Sequence, residues 1–160
     1  LEKEISTAGW SADMVFALRL AQKVHAGQMR VSGVSYMTHP LAVMYLTETL
    51  LPPHFKLKTE ALCVALLHDT LEDAKTHSMR CEAHRQIHYN FPDCVTAAVE
   101  VLTKKPEHKL AYLQYILQIR ENPIARIVKQ ADIQHNLVDV DDYKPKNKDK
   151  YQMALWILQH

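Results

Sequence analysis

Thr59-Glu60-Ala61-Leu62-Cys63-Val64-Ala65-Leu66-Leu67-His68-Asp69-Thr70-Leu71-Glu72-Asp73 is the stretch on which the fold turns. Ala61–Leu67 is apolar nearly all round, as a helix enclosed by other helices must be. Thr59 is placed to cap that helix, which the pattern predicts from Glu60 to about Asp73. Four ionisable residues crowd its end, and burying them without partners costs several kcal/mol. On a helix Asp69 lies one turn from Glu72 and Asp73, and His68 one turn from Glu72. The adjacent His68 and Asp69 can turn a nitrogen and an oxygen toward one cation, with Glu72 and Asp73 a turn away beside any water it carries. An isolated His-Asp pair is more often a solvated helix end, so the rest of the chain has to decide.

Outward from this core, helical periodicity dominates. Ser11 can cap a helix carrying Val15, Phe16, Leu18, Leu20, Ala21 and Val24, with Gly27 at its stop. Gln28–Thr38 reads as a loop, and Pro40 as the first position of a helix reaching about Leu51, ended by Pro52-Pro53. A weaker helix is expected over Met79–Tyr89, and another from Pro92 with Val95, Ala98, Val99 and Leu102 on one face. Two more follow over Leu110–Glu121 and Pro123–Asp139. Asp141–Lys150, polar and lysine-rich, reads as a loop before a last helix, Tyr151–Leu158. With no internal repeat and no linker, the prediction is all-α: one helical domain over residues 1–160, of about seven or eight helices.

Composition narrows the function classes. A chain of 160 residues with 48% hydrophobic and 23% charged residues is an ordinary globular domain that buries its core unaided. Nineteen Lys+Arg against eighteen Asp+Glu leave +1, no electrostatic footprint for nucleic acid or an anionic membrane. Cys63, Cys81 and Cys94 are odd in number and widely spaced, forming neither a zinc framework nor a disulfide scaffold, so a reducing compartment is expected. No apolar run approaches the ~20 residues of a membrane span, and no secretory signal opens the sequence, so the expected location is cytoplasmic. Three glycines argue against a Gly-rich phosphate loop, while ten histidines make a metal site worth seeking.

The company of the His-Asp pair is informative. His39-Pro40 sits at a predicted helix start behind Gly33-Val34-Ser35-Tyr36-Met37-Thr38. Asp132 lies inside an amphipathic helix, followed by Asn136 and Asp139, and an unpaired carboxylate there needs a partner such as a metal. Together with Ala21-Gln22-Lys23-Val24-His25-Ala26-Gly27-Gln28-Met29-Arg30, Ala65–Asp73 and Lys129-Gln130-Ala131-Asp132, these pieces resemble the HD-domain phosphohydrolases. Within them, the chain is most similar to the small stand-alone RelA/SpoT-type alarmone hydrolases, from about Phe16 to Leu158. The resemblance implies four metal ligands, His39, His68, Asp69 and Asp132, holding one divalent ion, usually manganese. It implies Glu72 and Asp73 as the acidic pair that activates the attacking water. It implies Arg30 stacked on a nucleotide base, Asn136 contacting the nucleotide, and, by a looser alignment, Tyr151 contacting the ribose. The expected reaction, part of the stringent response, removes the 3′-pyrophosphate of ppGpp or pppGpp to leave GDP or GTP.

Three positions depart from the family pattern: Val31, Ile133 and Val138 stand where relatives often carry basic residues. Lys104, Lys105, Lys109 or the Lys144–Lys150 cluster are the candidates to replace those charges. The alternatives are an HD phosphohydrolase acting on another nucleotide (an adenosine alarmone, a nucleoside monophosphate or the 2′-phosphate of NADPH) and a nucleotide-binding module without turnover. The oligomeric state stays open. Elsewhere blander roles are expected: packing or support for His25, core anchoring for Trp10, Trp156 and Cys63, and solvation for His54, His77, His84, His88, His108 and His160; for His135, beside Asn136, pocket lining is the sharper alternative to a bland role.

Overall fold

The computed structural model describes residues 4–106 and 111–160. The expected positions of His108, Lys109 and Leu110 lie outside the described residues. The chain is all-α. Among the described residues eight helices have nine residues or more: α1 (Ala12–Val24), α2 (Thr38–Leu50), α3 (Lys58–Leu67), α5 (His77–Asn90), α6 (Asp93–Leu102), α7 (Tyr112–Arg120), α8 (Pro123–Leu137) and α10 (Lys148–Gln159). Two single turns, α4 (Thr70–Asp73) and α9 (Val140–Tyr143), lie between them. Among the described residues the only β feature is one isolated antiparallel bridge, Met29 to Ser35, which closes the loop between α1 and α2.

Helix α3 is the axis of the bundle. Every residue from Ala61 to Leu67 is buried, Cys63 included, and α1, α2, α6 and α8 pack around it. Helix starts follow the sequence in several places. Ser11 accepts from the Met14 amide, Thr76 from Met79, and Asn122 from Ile124 and Ala125 ahead of Pro123. Thr59 does not cap α3, which begins one residue earlier at Lys58, with Leu57 at the cap position and no side-chain hydrogen bond there.

Three further expectations are corrected. The predicted helix Glu60–Asp73 is broken at His68-Asp69, giving α3 and α4 in its place. The supposed loop Asp141–Lys150 holds α9, a 3-10 turn at Pro145–Asn147 and the first turn of α10. The amides of Asp142 and Tyr143 donate to the Asp139 carbonyl, and Lys148 pairs with Asp141 at 3.0 Å, so polar composition there reflects exposure and not irregular backbone. Trp156 is no core anchor: it is 62% exposed and stacked on His160. Trp10 is half-buried against the core.

Candidate metal centre

The break at His68-Asp69 is what builds the site. Asp69 adopts φ −101° and ψ −1°, in the bridge region between helix and strand. At the end of α3 the freed carbonyls find side-chain donors: His68 Nδ1 donates to Ala65 O and Thr70 Oγ1 to Leu67 O, both at 2.7 Å. A carbonyl can only accept, so the His68 proton sits on Nδ1 and its Nε2 carries a lone pair. That Nε2 lies 3.0 Å from Asp69 Oδ2 and 3.6 Å from Asp132 Oδ1. From the first turn of α2, His39 Nε2 reaches 3.0 Å from Asp132 Oδ1 and 3.5 Å from Asp69 Oδ2. Ligand atoms of His39, His68 and Asp69 all lie within 4.8 Å of one another.

His68 Nε2 is buried and makes no hydrogen bond of acceptable geometry. A lone pair and two carboxylate oxygens therefore converge with nothing positive between them. That arrangement suits a divalent cation, or a second proton on His68. Burial alone would lower the His68 pKa, but Asp69 and Asp132 raise it well above its ordinary value. Two imidazole nitrogens with two carboxylate oxygens are the donor set of a borderline divalent ion, so the residues present fit the metal the resemblance implies.

Supporting contacts fix these ligands. Asp132 is not the unpaired carboxylate its sequence context suggested: Lys129, one turn earlier on α8, donates to its Oδ2 at 2.7 Å, and Asn136 donates to its Oδ1 at 2.9 Å. Against the effect of burial, Lys129 and the two histidines hold the Asp132 carboxyl well below its usual range. The Tyr36 hydroxyl donates to Asp69 Oδ2 at 2.6 Å, and burial with Asp69 and Asp73 nearby keeps that phenol protonated. His25 packs beside the centre, with its Nε2 buried and without a hydrogen-bond partner among the described residues. Its Nδ1 donates to Gln28 Oε1, Gln28 Nε2 donates to the Asp73 carbonyl, and its ring packs on Tyr36.

Glu72 and Asp73, on the turn α4, both face the same cavity of about 580 Å³. Glu72 is exposed and held by the backbone amide of Lys104 at 2.7 Å. Burial, then the Asp69 charge, pushes Asp73 up to about 6. Arg30 Nη2 donates to Asn136 Oδ1 at 3.1 Å on the cavity wall, and Tyr151 from α10 also lines it. All nine residues singled out from sequence thus border one cavity.

The departures from the family pattern look different in three dimensions. Ile133 is 1% exposed and packs in the core, while Val138 is 82% exposed and does not border the cavity. Of the three, only Val31 does, at 63% exposure. Arg30, Lys104, Lys129 and Lys144 bring positive charge to the wall. Lys105 lines a separate cavity, and Lys148 is paired with Asp141. His135 does not line the pocket; it lies behind His39. Sequence reasoning assigned no role to Lys129 or Tyr36, and offered His135 only as a pocket-lining residue. The only available signal was spacing, Lys129 standing three residues before Asp132 on a helix.

Helices around a buried His39/His68-Asp69/Asp132 cluster are an arrangement similar to that of the HD-domain class. No family model matches the chain. It is 28% identical over 141 residues to the GTP pyrophosphokinase of Streptomyces coelicolor, covering 84% of this chain and 15% of that protein. It is 30% identical over 140 residues to the guanosine-3′,5′-bis(diphosphate) 3′-pyrophosphohydrolase of Aquifex aeolicus, covering 84% of this chain and 18% of that one. A solved structure described as a metazoan ortholog of SpoT that hydrolyzes ppGpp shares the fold, with a TM-score of 0.66 at 24% identity, covering 92% of this chain and 84% of that one. Over these residues the chain is similar to proteins of the RelA/SpoT type. It spans less than a fifth of the length of these curated relatives. Among the described residues no helix is long and apolar enough to cross a membrane.

Proposed function

We propose that this chain hydrolyses the 3′-pyrophosphate of guanosine 3′,5′-bis(diphosphate) and its pentaphosphate counterpart, leaving GDP or GTP and pyrophosphate, with Mn²⁺ as the cofactor. The observation that carries this reading is the convergence of His39, His68, Asp69 and Asp132, with an unpartnered His68 Nε2, at a cavity walled by cations. A divalent ion held by these four residues supplies an acidified water and neutralises charge on the phosphoryl oxygens.

The chain's own residues do the rest. Glu72 and Asp73 stand where they can take the proton of the attacking water, and a carboxyl near 6 is mostly ionised at neutral pH yet basic enough to accept one. The bond between the 3′-oxygen and the pyrophosphate breaks, and the ribose oxygen leaves with a proton. In this reading Arg30, tied to Asn136, stacks on the base, and Tyr151, which borders the same cavity, contacts the ribose. Lys104, Lys129 and Lys144 supply positive charge for the phosphates. Burial and the Lys129 charge both lower the Lys104 pKa, so an arriving phosphate relieves repulsion already present.

The test is Mn²⁺-dependent conversion of guanosine tetraphosphate to GDP, followed by nucleotide chromatography beside Glu72→Ala. Pyrophosphate release abolished in the variant is expected; no release from metal-loaded wild type overturns the assignment. Val31 at the rim favours one second reading, the same chemistry on a less highly charged nucleotide. Faster turnover of an adenosine alarmone, a nucleoside monophosphate or NADPH in a side-by-side panel would support it.

A further inference from the structure

His135 lies against His39. The two Nδ1 atoms lie 2.7 Å apart, with ring centroids 5.0 Å apart and 27° between planes, so the rings meet edge to edge. One of two imidazole nitrogens at that distance must donate and the other accept. If His135 donated, His39 would carry its single proton on Nε2, the atom facing Asp132 and Asp69, and could not bind a cation there. If His39 donates, its Nε2 lone pair is free and the His135 proton is forced onto Nε2.

We propose that His135 is a positioning residue that selects the metal-binding tautomer and ring orientation of His39, by accepting its Nδ1 proton. This rests on the reading of His39 as a metal ligand. The two histidines of the centre are then fixed in different ways. His68 donates to the Ala65 carbonyl, a group that can only accept, so its tautomer is set by the backbone. His39 depends on a side chain able to play either part. Helix α8 thereby orients two ligands from successive positions, Asp132 through Lys129 and Asn136, and His39 through His135. Because His135 does not border the cavity, its effect is on metal retention and not on nucleotide contact.

Two variants of the full chain separate acceptor chemistry from ring volume. In His135→Asn an amide oxygen can take the place of Nδ1 as acceptor, whereas His135→Leu fills the space without one. Mn²⁺ affinity is read from the electron paramagnetic resonance signal of the free ion, without nucleotide, and folding from a urea melt. The Leu variant is expected to bind Mn²⁺ roughly 10–100-fold more weakly, the range for loss of such a supporting contact, and the Asn variant within about threefold of wild type. Equal affinity in the Leu variant, or an Asn variant as weak as the Leu one, overturns the proposal. Should the Leu variant not fold, nitrogen NMR of the wild-type imidazoles in the Zn²⁺-loaded protein decides. His39 protonated on Nδ1 and His135 on Nε2 supports the proposal, and the reverse overturns it. Wild type that binds no Mn²⁺ overturns it too, whereas binding without alarmone turnover refutes only the substrate assignment.

Discussion

Replacing Asp132 by Ala strands a buried ammonium. Lys129 and Asp132 are both largely inaccessible and meet at 2.7 Å, and the change also removes the acceptor of Asn136 Nδ2. Breaking a buried pair from one side costs ~3–5 kcal/mol. The loss is capped, because Lys129 can shed its proton. From an ordinary lysine value near 10.4, at about 1.4 kcal/mol per pH unit, neutralisation costs ~4.6 kcal/mol at pH 7 but only ~1.9 kcal/mol at pH 9. The sign follows from proton counting: in the variant the unfolded lysine binds a proton that the folded one has lost, so stability rises with pH up to the unfolded pKa. His68 widens the trend. Its raised pKa makes the wild type lose stability as pH climbs through it, and the variant has less of that stability to lose. Urea melts of both proteins in chelator should therefore show a deficit of about 4 kcal/mol at pH 7, shrinking to about 2 kcal/mol at pH 9. The double variant Asp132→Ala/Lys129→Met should recover most of it, exposing the coupling. A deficit under ~1 kcal/mol at pH 7, or one unchanged at pH 9, would show that Lys129 escapes to water and that the reasoning is wrong.

Glu72→Ala should retain Mn²⁺, counted by elemental analysis, while alarmone turnover falls by roughly 10²–10⁴-fold, the usual contribution of a positioned proton acceptor. Asp73→Asn should stabilise the metal-free protein at pH 7 by about 1–2 kcal/mol, discounted for partial exposure, and change little near pH 4, read by chemical denaturation. The reason is that a carboxyl raised to about 6 binds its proton more tightly folded than unfolded, so stability falls as pH rises through that window. Arg30→Ala should raise KM for the nucleotide without moving Mn²⁺ affinity, because its contact is to Asn136 and not to a ligand atom. Leu66→Ala, in the fully buried last turn of α3, should cost ~2–5 kcal/mol by thermal or urea melt.

Much of this was written locally. Ala61–Leu67 admits only a buried helix, because apolar side chains on every face leave no side for water, and the structure buries each of them. The residues that the resemblance singled out, His39, His68, Asp69, Glu72, Asp73, Arg30, Asn136, Asp132 and Tyr151, could be named from motifs in the chain, and the structure brings them to one cavity. Contacts between segments distant in the chain were not legible. The Tyr36 hydroxyl on Asp69 and His135 behind His39 join positions 33 and 96 residues apart. Lys129 was hidden differently: a lysine three residues before an aspartate is ordinary on a solvated helix face, and only burial turns it into a partner.

By itself, then, the sequence determined the helices, the buried axis and the inventory of the site, since periodicity and residue chemistry are properties of the chain. Only the tertiary structure decided that α3 must break at His68-Asp69, that Asp132 already has a cationic partner, and that Ile133 and Val138 lie off the cavity. Those facts depend on which face a helix turns toward its neighbours, and that is settled when the whole bundle packs.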